Sequence, residues 1–302
     1  KNSVKKTFGG PALNWAQYLV PEDTVHILSV AGNGVQGQKL KDLLTTKLSL
    51  NIDRVKIYEE SLSRFGLVYT ALAHETKKDQ WATKIFWEGN VADKYFRDIE
   101  LKRNFFQDID VLALPIAEPE VAKRAAEVFC DANPSGKIFY NPGRWLERED
   151  ISFEETNFQQ IIKKANWVVL NRKEAASVQK YMKLSKIEEL FNEGERLELI
   201  IFTRDKEGSY IYERRGERKW NYTPKEKLSV NPGQTLGAGD AYSATFLSKI
   251  LHGYSTMDAQ HLASIAAEDA LKYVGALNER RIKGATSVSD KQRETTFSRE
   301  EK

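Results

Sequence analysis

The chain has 302 residues, 41% of them apolar and 29% charged, with a formal net charge of +3. That length allows one large domain or two ordinary ones around a sizeable core, and so small a net charge argues against nucleic acid or an anionic membrane as the main partner. A single cysteine, Cys130, excludes an internal disulfide and thiolate zinc sites and fits a reducing, cytoplasmic setting. Apolar runs such as VHILSVA and LIIFTR are too short to span a bilayer, and no signal-peptide pattern opens the chain. The four histidines show no metal-ligand spacing.

In chain order, residues 1–8 are basic and lead into Gly9-Gly10-Pro11-Ala12-Leu13-Asn14-Trp15-Ala16, a glycine turn followed by a helix. A strand at 25–32 then passes through Asn33, Gly34 and Gly37 into an amphipathic helix carrying Leu40, Leu43, Leu44 and Leu48. From about 54 to 90 three strand-like runs (RVKIYEE, FGLVYTALA and ATKIFWEG) predict a small antiparallel sheet inserted in the fold. A helix at 91–103, a strand at 110–116, a helix at 118–129 and a strand at 137–143 follow. Pro119 suits the first turn of that second helix. Next come a helix around 154–165, a strand at 167–170 and a helix opened by Asn171-Arg172-Lys173-Glu174. LELIIFTR (197–204) reads as a buried strand, and 209–213 with 218–223 as a hairpin joined through Arg215-Gly216. The last helix covers 256–275, and 278–302 reads as a charged, loosely docked tail. Strands alternating with helices imply an α/β fold with a mostly parallel sheet covered on both faces and ligands at the carboxyl ends of its strands.

The densest chemistry lies in NPGQTLGAGDAYSATFLSKI (231–250). Gly237, Ala238 and Gly239 stand just before a helical run and gather unpaired backbone N–H groups at its positive end, a site for anionic oxygens. Asp240 beside such a site is electrostatically odd unless it takes a proton from a nucleophile while the amides hold charge on a transferred phosphoryl group. The structural alternative makes the glycines turn residues and Asp240 a cap. Asn171 and Glu174 carry a similar double reading, as an amide cap with its first-turn acid or as a ligand pair.

At this point the chain resembles the ribokinase-like (PfkB-type) carbohydrate kinase family over roughly residues 9–277. Gly9-Gly10-x-x-x-Asn14-x-Ala16 resembles its first glycine signature, and Asn171-x-x-Glu174 its NxxE motif. Thr203 and Gly208 match two points of its TxGxxG segment, and Gly237-Ala238-Gly239-Asp240 its anion hole and catalytic base. The resemblance implies a three-layer αβα sandwich with a β lid at 54–90, and ATP-dependent phosphorylation of a sugar or nucleoside hydroxyl. It assigns acceptor contacts to Gly9, Gly10, Asn14 and Asn33, nucleotide contacts to Asn171, Thr203 and Gly208, and magnesium to Glu174. Lid edges would favour pairing of two copies.

The chain departs from the pattern in four places. Only eight residues precede Gly9, where the family has a strand about thirty residues earlier, so the natural protein is expected to be longer. Gly32-Asn33-Gly34 stands for Gly-x-Asp. Gln234 replaces an acid associated with a monovalent cation, and Asp205 replaces the first glycine of TxGxxG. These changes motivate an alternative, a catalytically impaired member with a binding role. The retained Asp240 and Glu174 favour the enzyme.

Overall fold

The computed structural model describes residues 10–19, 22–50, 52–53, 55–58, 67–72, 81–86, 100–215, 218–222 and 237–272. Its largest sheet has six strands: β5 (Val111–Pro115), β6 (Lys137–Asn141), β7 (Trp167–Asn171), β8 (Leu199–Thr203), β9 (Ser209–Glu213) and β10 (Arg218–Tyr222). They lie in the order β10-β9-β8-β7-β6-β5. Strands β5 to β8 run parallel, and β9 and β10 turn back antiparallel.

Alternate side chains of these strands enter two different cores, as the period of two requires. Ile138, Val168, Leu170 and Ile200 meet Phe129, Phe158, Ile161, Ile162 and Val178 on one face. Those partners come from α3 (Pro119–Ala132), α4 (Phe158–Ile162) and α5 (Arg172–Met182). Phe139, Trp167, Val169 and Ile201 face the other way, toward α1 (Pro11–Leu19), α6 (Ala238–Leu251) and α7 (Thr256–Ala270). The central strands are therefore apolar on both sides, which explains their unbroken hydrophobic runs. Three layers result, as expected.

Local chemistry sets the helix starts. Pro119 opens α3 while the Glu118 carboxylate accepts from the Val121 N–H at 2.9 Å. Ser255 caps α7 by accepting from the Asp258 N–H at 3.2 Å. Among the described residues no helix is long and apolar enough to cross a membrane.

Two smaller sheets differ from the sequence expectation. β1 (Ser29–Gly32) pairs in parallel with β2 (Val55–Tyr58), so RVKIYEE does not join an antiparallel lid. The helix between them, α2 (Val35–Asp42), makes this a crossover, and a crossover delivers a parallel partner. Among the described residues of this stretch, β3 (Leu67–Leu72) and β4 (Trp81–Phe86) form the antiparallel ladder. A third core (Leu13, Ala16, Ile27, Leu43, Leu44, Leu48 and Leu50) ties α1 to this unit.

Boundaries shift elsewhere. The strand expected at 25–32 enters a ladder only at Ser29. The helix expected around 154–165 is broken by Asn157, whose φ of 53° ends a short 3-10 turn before α4 begins. Most of the helix expected at 91–103 lies outside the described residues, and Arg103–Phe105 is a single 3-10 turn. The tail at 278–302 also lies outside them.

Candidate active site

Helix α6 begins at Gly237, whose φ of 87° is left-handed backbone that suits glycine and strains other residues. The Gly237 carbonyl accepts from the Ala241 N–H at 2.8 Å, and Gly237 has no side chain to cap the first turn. The N–H groups of Ala238, Gly239 and Asp240 thus have no intrahelical acceptor, and the helix dipole adds partial positive charge at the same point. A Cβ placed on exposed Gly239 would meet nothing within 4 Å, so open space fronts this turn.

Helix α1 packs against α6 and contains no charged residue. Gly10, exposed with φ 114°, precedes it, and the Asn14 N–H closes its first turn onto the Gly10 carbonyl at 2.8 Å. Gly9 lies outside the described residues. Asn14 donates through Nδ2 to Asp240 Oδ2 at 2.7 Å, and Trp15 donates through Nε1 to Asp240 Oδ1 at 3.1 Å. Burial pushes the Asp240 carboxyl up to about 6, against the lowering effect of those two hydrogen bonds. Among the described residues the buried Oδ1 of Asn14 has no hydrogen-bond partner. At the far end of the helix pair, Ser248 donates to Asp23 at 2.7 Å and Lys249 pairs with Glu22 at 2.5 Å. The acid is held between two helices pinned at both ends.

A second cluster forms where β7 passes into α5. Asn171 Oδ1 accepts from the N–H groups of Lys173 (2.8 Å) and Glu174 (2.9 Å), while Glu174 Oε2 accepts from the Asn171 N–H at 2.9 Å. This is a reciprocal capping box, so the structural alternative weighed for this pair is correct as far as it goes. The capping box does not exhaust the chemistry, because Asn171 Nδ2 also reaches Glu174 Oε1 (2.6 Å) and Glu147 Oε1 (3.2 Å). Glu174 is only 5% exposed. Burial pushes it up to about 7, a hydrogen bond from the Asn171 backbone lowers it, and the Glu147 charge raises it.

Asn171 lies opposite Thr203 at the carboxyl ends of β7 and β8. Beyond Thr203 the Arg204 N–H closes a tight turn onto the Gly208 carbonyl at 2.8 Å. Gly208 has φ 87°, and Asp205, exposed, has φ 50° where the family pattern places a glycine. Arg172 at the start of α5 pairs with Glu207 of this turn at 2.9 Å. The Arg204 guanidinium stacks 3.9 Å from the Tyr210 ring centroid. Asn33 is exposed in the bend after β1 and hydrogen-bonds to neither cluster among the described residues.

Sequence reasoning missed two members of these clusters. Trp15 was not read as a donor to Asp240, and Glu147 was not anticipated. Neither sits in a local pattern that announces its role, since Trp15 meets Asp240 across 225 residues and Glu147 meets Asn171 across 24.

The family model described as pfkB family carbohydrate kinase matches residues 1–281. The chain belongs to that family. Among its curated relatives, a nucleoside kinase of Methanocaldococcus jannaschii is 23% identical over 259 residues, covering 83% of this chain and 75% of the relative. A 2-dehydro-3-deoxygluconokinase of Escherichia coli is 24% identical over 298 residues, covering 91% of each. The solved nucleoside kinase of M. jannaschii superposes with a TM-score of 0.73 at 21% identity, covering 93% of this chain and 88% of that one. An Arabidopsis thaliana ribokinase solved with ribose and ATP gives 0.65 at 15% identity, covering 91% and 86%. This pfkB-family chain therefore has the ribokinase-like fold.

Proposed function

We propose that this pfkB-family protein transfers the γ-phosphoryl group of ATP to a hydroxyl of a small sugar or nucleoside, with Asp240 as general base. The observation that carries the reading is a partly buried carboxylate, its pKa raised to about 6, fixed by Asn14 and Trp15 in the first turn of a helix whose first N–H groups have no intrahelical partner. A base with a pKa near the working pH is ionised at neutrality yet basic enough to accept a proton in the transition state. Asp240 takes the hydroxyl proton, and the N–H groups of Ala238, Gly239 and Asp240 hold charge developing on the transferred group. Gly9, Gly10, Asn14 and Asn33 would bound the acceptor. Asn171, Thr203 and Gly208 would bound the nucleotide.

Glu174 suits a magnesium ion held partly by water and phosphate oxygens. Its carboxylate is buried and pushed up to about 7, as expected of an acid awaiting positive charge, and each oxygen keeps a lone pair outside the capping box. Magnesium takes few protein ligands at phosphate sites, and among the described residues no three His, Cys, Asp or Glu side chains cluster around an ion site. When bound, the ion would neutralise phosphate charge. ATP consumption by the purified protein, screened against sugars and nucleosides, tests the reading. No turnover with any acceptor, in protein shown to bind ATP, would favour a non-catalytic role.

Turnover should require a divalent ion and respond little to potassium, because Gln234 stands where the family's monovalent site has an acid. Gln234 itself lies outside the described residues. Strong activation by potassium over sodium at fixed ionic strength would contradict the role given to Gln234.

Asp205 makes a further case. It holds a left-handed turn and places a negative charge on the proposed nucleotide rim. Asp205→Gly should lower the KM for ATP by roughly 1.5- to 5-fold, the scale of one exposed charge interaction. The melting temperature should change little, since relief of strain is offset by the greater freedom of glycine in the unfolded chain. A KM that rises would show that Asp205 contributes a favourable contact.

A further inference from the structure

Asp240 receives its two donors from consecutive residues of one helix, and each takes a different carboxylate oxygen. Residues 14 and 15 leave α1 about 100° apart, so the two side chains reach the acid from different directions. The Trp15 ring is 1% exposed and packs on Phe139 with centroids 5.2 Å apart. Phe139 in turn lies edge-on to Trp167 at 6.2 Å. The sheet therefore fixes the direction of the indole N–H, and Asp240 meets a donor whose aim is already set.

The two donors differ chemically. Asn14 carries both a donor and an acceptor, and an amide flip would let it serve either protonation state of the acid. An indole N–H only donates. A proton on Asp240 Oδ1 would face it donor to donor.

We propose that Trp15 is a positioning residue of the phosphoryl-transfer centre, reserving Oδ1 of Asp240 as a pure acceptor so that the transferred proton arrives at Oδ2. This rests on the reading of Asp240 as general base. In that step the acceptor's O–H bond breaks and the proton joins Oδ2. The freed oxygen electron pair forms the bond to the γ-phosphorus, and the leaving ADP oxygen takes the pair of the broken P–O bond. Trp15 touches none of the reacting atoms.

The charged surroundings leave this pair dominant. Helix α1 offers only Tyr18 as an ionisable group, and β5, packed against α1, offers none. On α6, Lys249 lies at the far end and Tyr242 donates its hydroxyl to Ser209. Helix α7, packed on α6, carries Asp258, His261, Glu268 and Asp269, none of which contributes to the Asp240 shift. That shift has three causes: burial, and the bonds from Asn14 and Trp15.

Trp15→Phe keeps an aromatic ring and removes the donor. The acid limb of its kcat/KM profile should move upward by about one pH unit, because a hydrogen bond to the ionised form is lost. A merely structural role would depress activity evenly across pH and leave the limb in place, and that result would overturn the proposal. A second measurement needs no acceptor. In the full chain without substrates, labelled with ¹⁵N-tryptophan, the Trp15 indole resonance should titrate with a midpoint near 6, and Asp240→Asn should abolish the titration. An indole resonance indifferent to pH between 5 and 8 would sink the idea even if Trp15→Phe failed to fold. A titrating resonance in a protein that phosphorylates nothing would keep the contact and reject the kinase reading, so the two failures are distinguishable.

Discussion

Asp240→Asn should lower turnover about a hundred- to ten-thousand-fold, the usual cost of losing a general base, while fold and ATP binding persist. The structure explains why the fold should survive. Trp15 can still donate to the remaining oxygen at position 240. Asn14 can flip its amide so that Oδ1, now buried without a partner among the described residues, accepts from the new amide nitrogen. Burial raises the Asp240 pKa from 3.8 to about 6, so the parent loses stability as the pH rises from about 4 to about 6 and bears the full penalty above that. The variant should therefore melt higher than the parent at pH 8, and the difference should shrink toward pH 4, where the acid is neutral in the folded parent. Turnover unchanged at saturating substrate would remove Asp240 from the mechanism.

Local pattern revealed the pieces of this site more readily than their arrangement. Asn171 and Glu174 are three residues apart, and that spacing alone predicts the capping geometry observed. Gly237 before a helical run likewise announces the left-handed start of α6. The layered α/β fold was legible because the buried strands β7 and β8 read as short apolar runs between amphipathic helices. Partner choice was not legible. RVKIYEE has the composition of a strand, but its parallel pairing with β1 depends on the α2 crossover rather than on its own residues. The bond from Trp15 to Asp240 was hidden for the same reason, since it exists only once α1 lies on α6. Asn157 shows the limit of periodicity: a single left-handed residue divides an otherwise regular helical pattern.

Asn14→Asp should also be damaging at neutral pH, less so than loss of the base and for a different reason. Asn14 Nδ2 stands 2.7 Å from Asp240 Oδ2, so the substitution sets two carboxylates in contact with almost no change in shape. Like charges about 3 Å apart do not ionise together, and the pair retains one proton between them. The upper of its two macroscopic pKa values then lies above the value of about 6 that burial already imposes on Asp240. A rise of two to three units would leave roughly a tenth to a hundredth of the enzyme with a free base at pH 7. Turnover at that pH should fall by about 10- to 100-fold and recover as the pH approaches 9. Asn14→Ala separates the charge from the lost donor: it removes the same hydrogen bond without adding a carboxylate, so its acid limb should move less. ATP affinity should be unaffected in both variants, because α1 lies on the proposed acceptor side. A pH–rate profile for Asn14→Asp that is depressed evenly from pH 6 to 9.5 would show that the Asn14 contact does not control the protonation of the base.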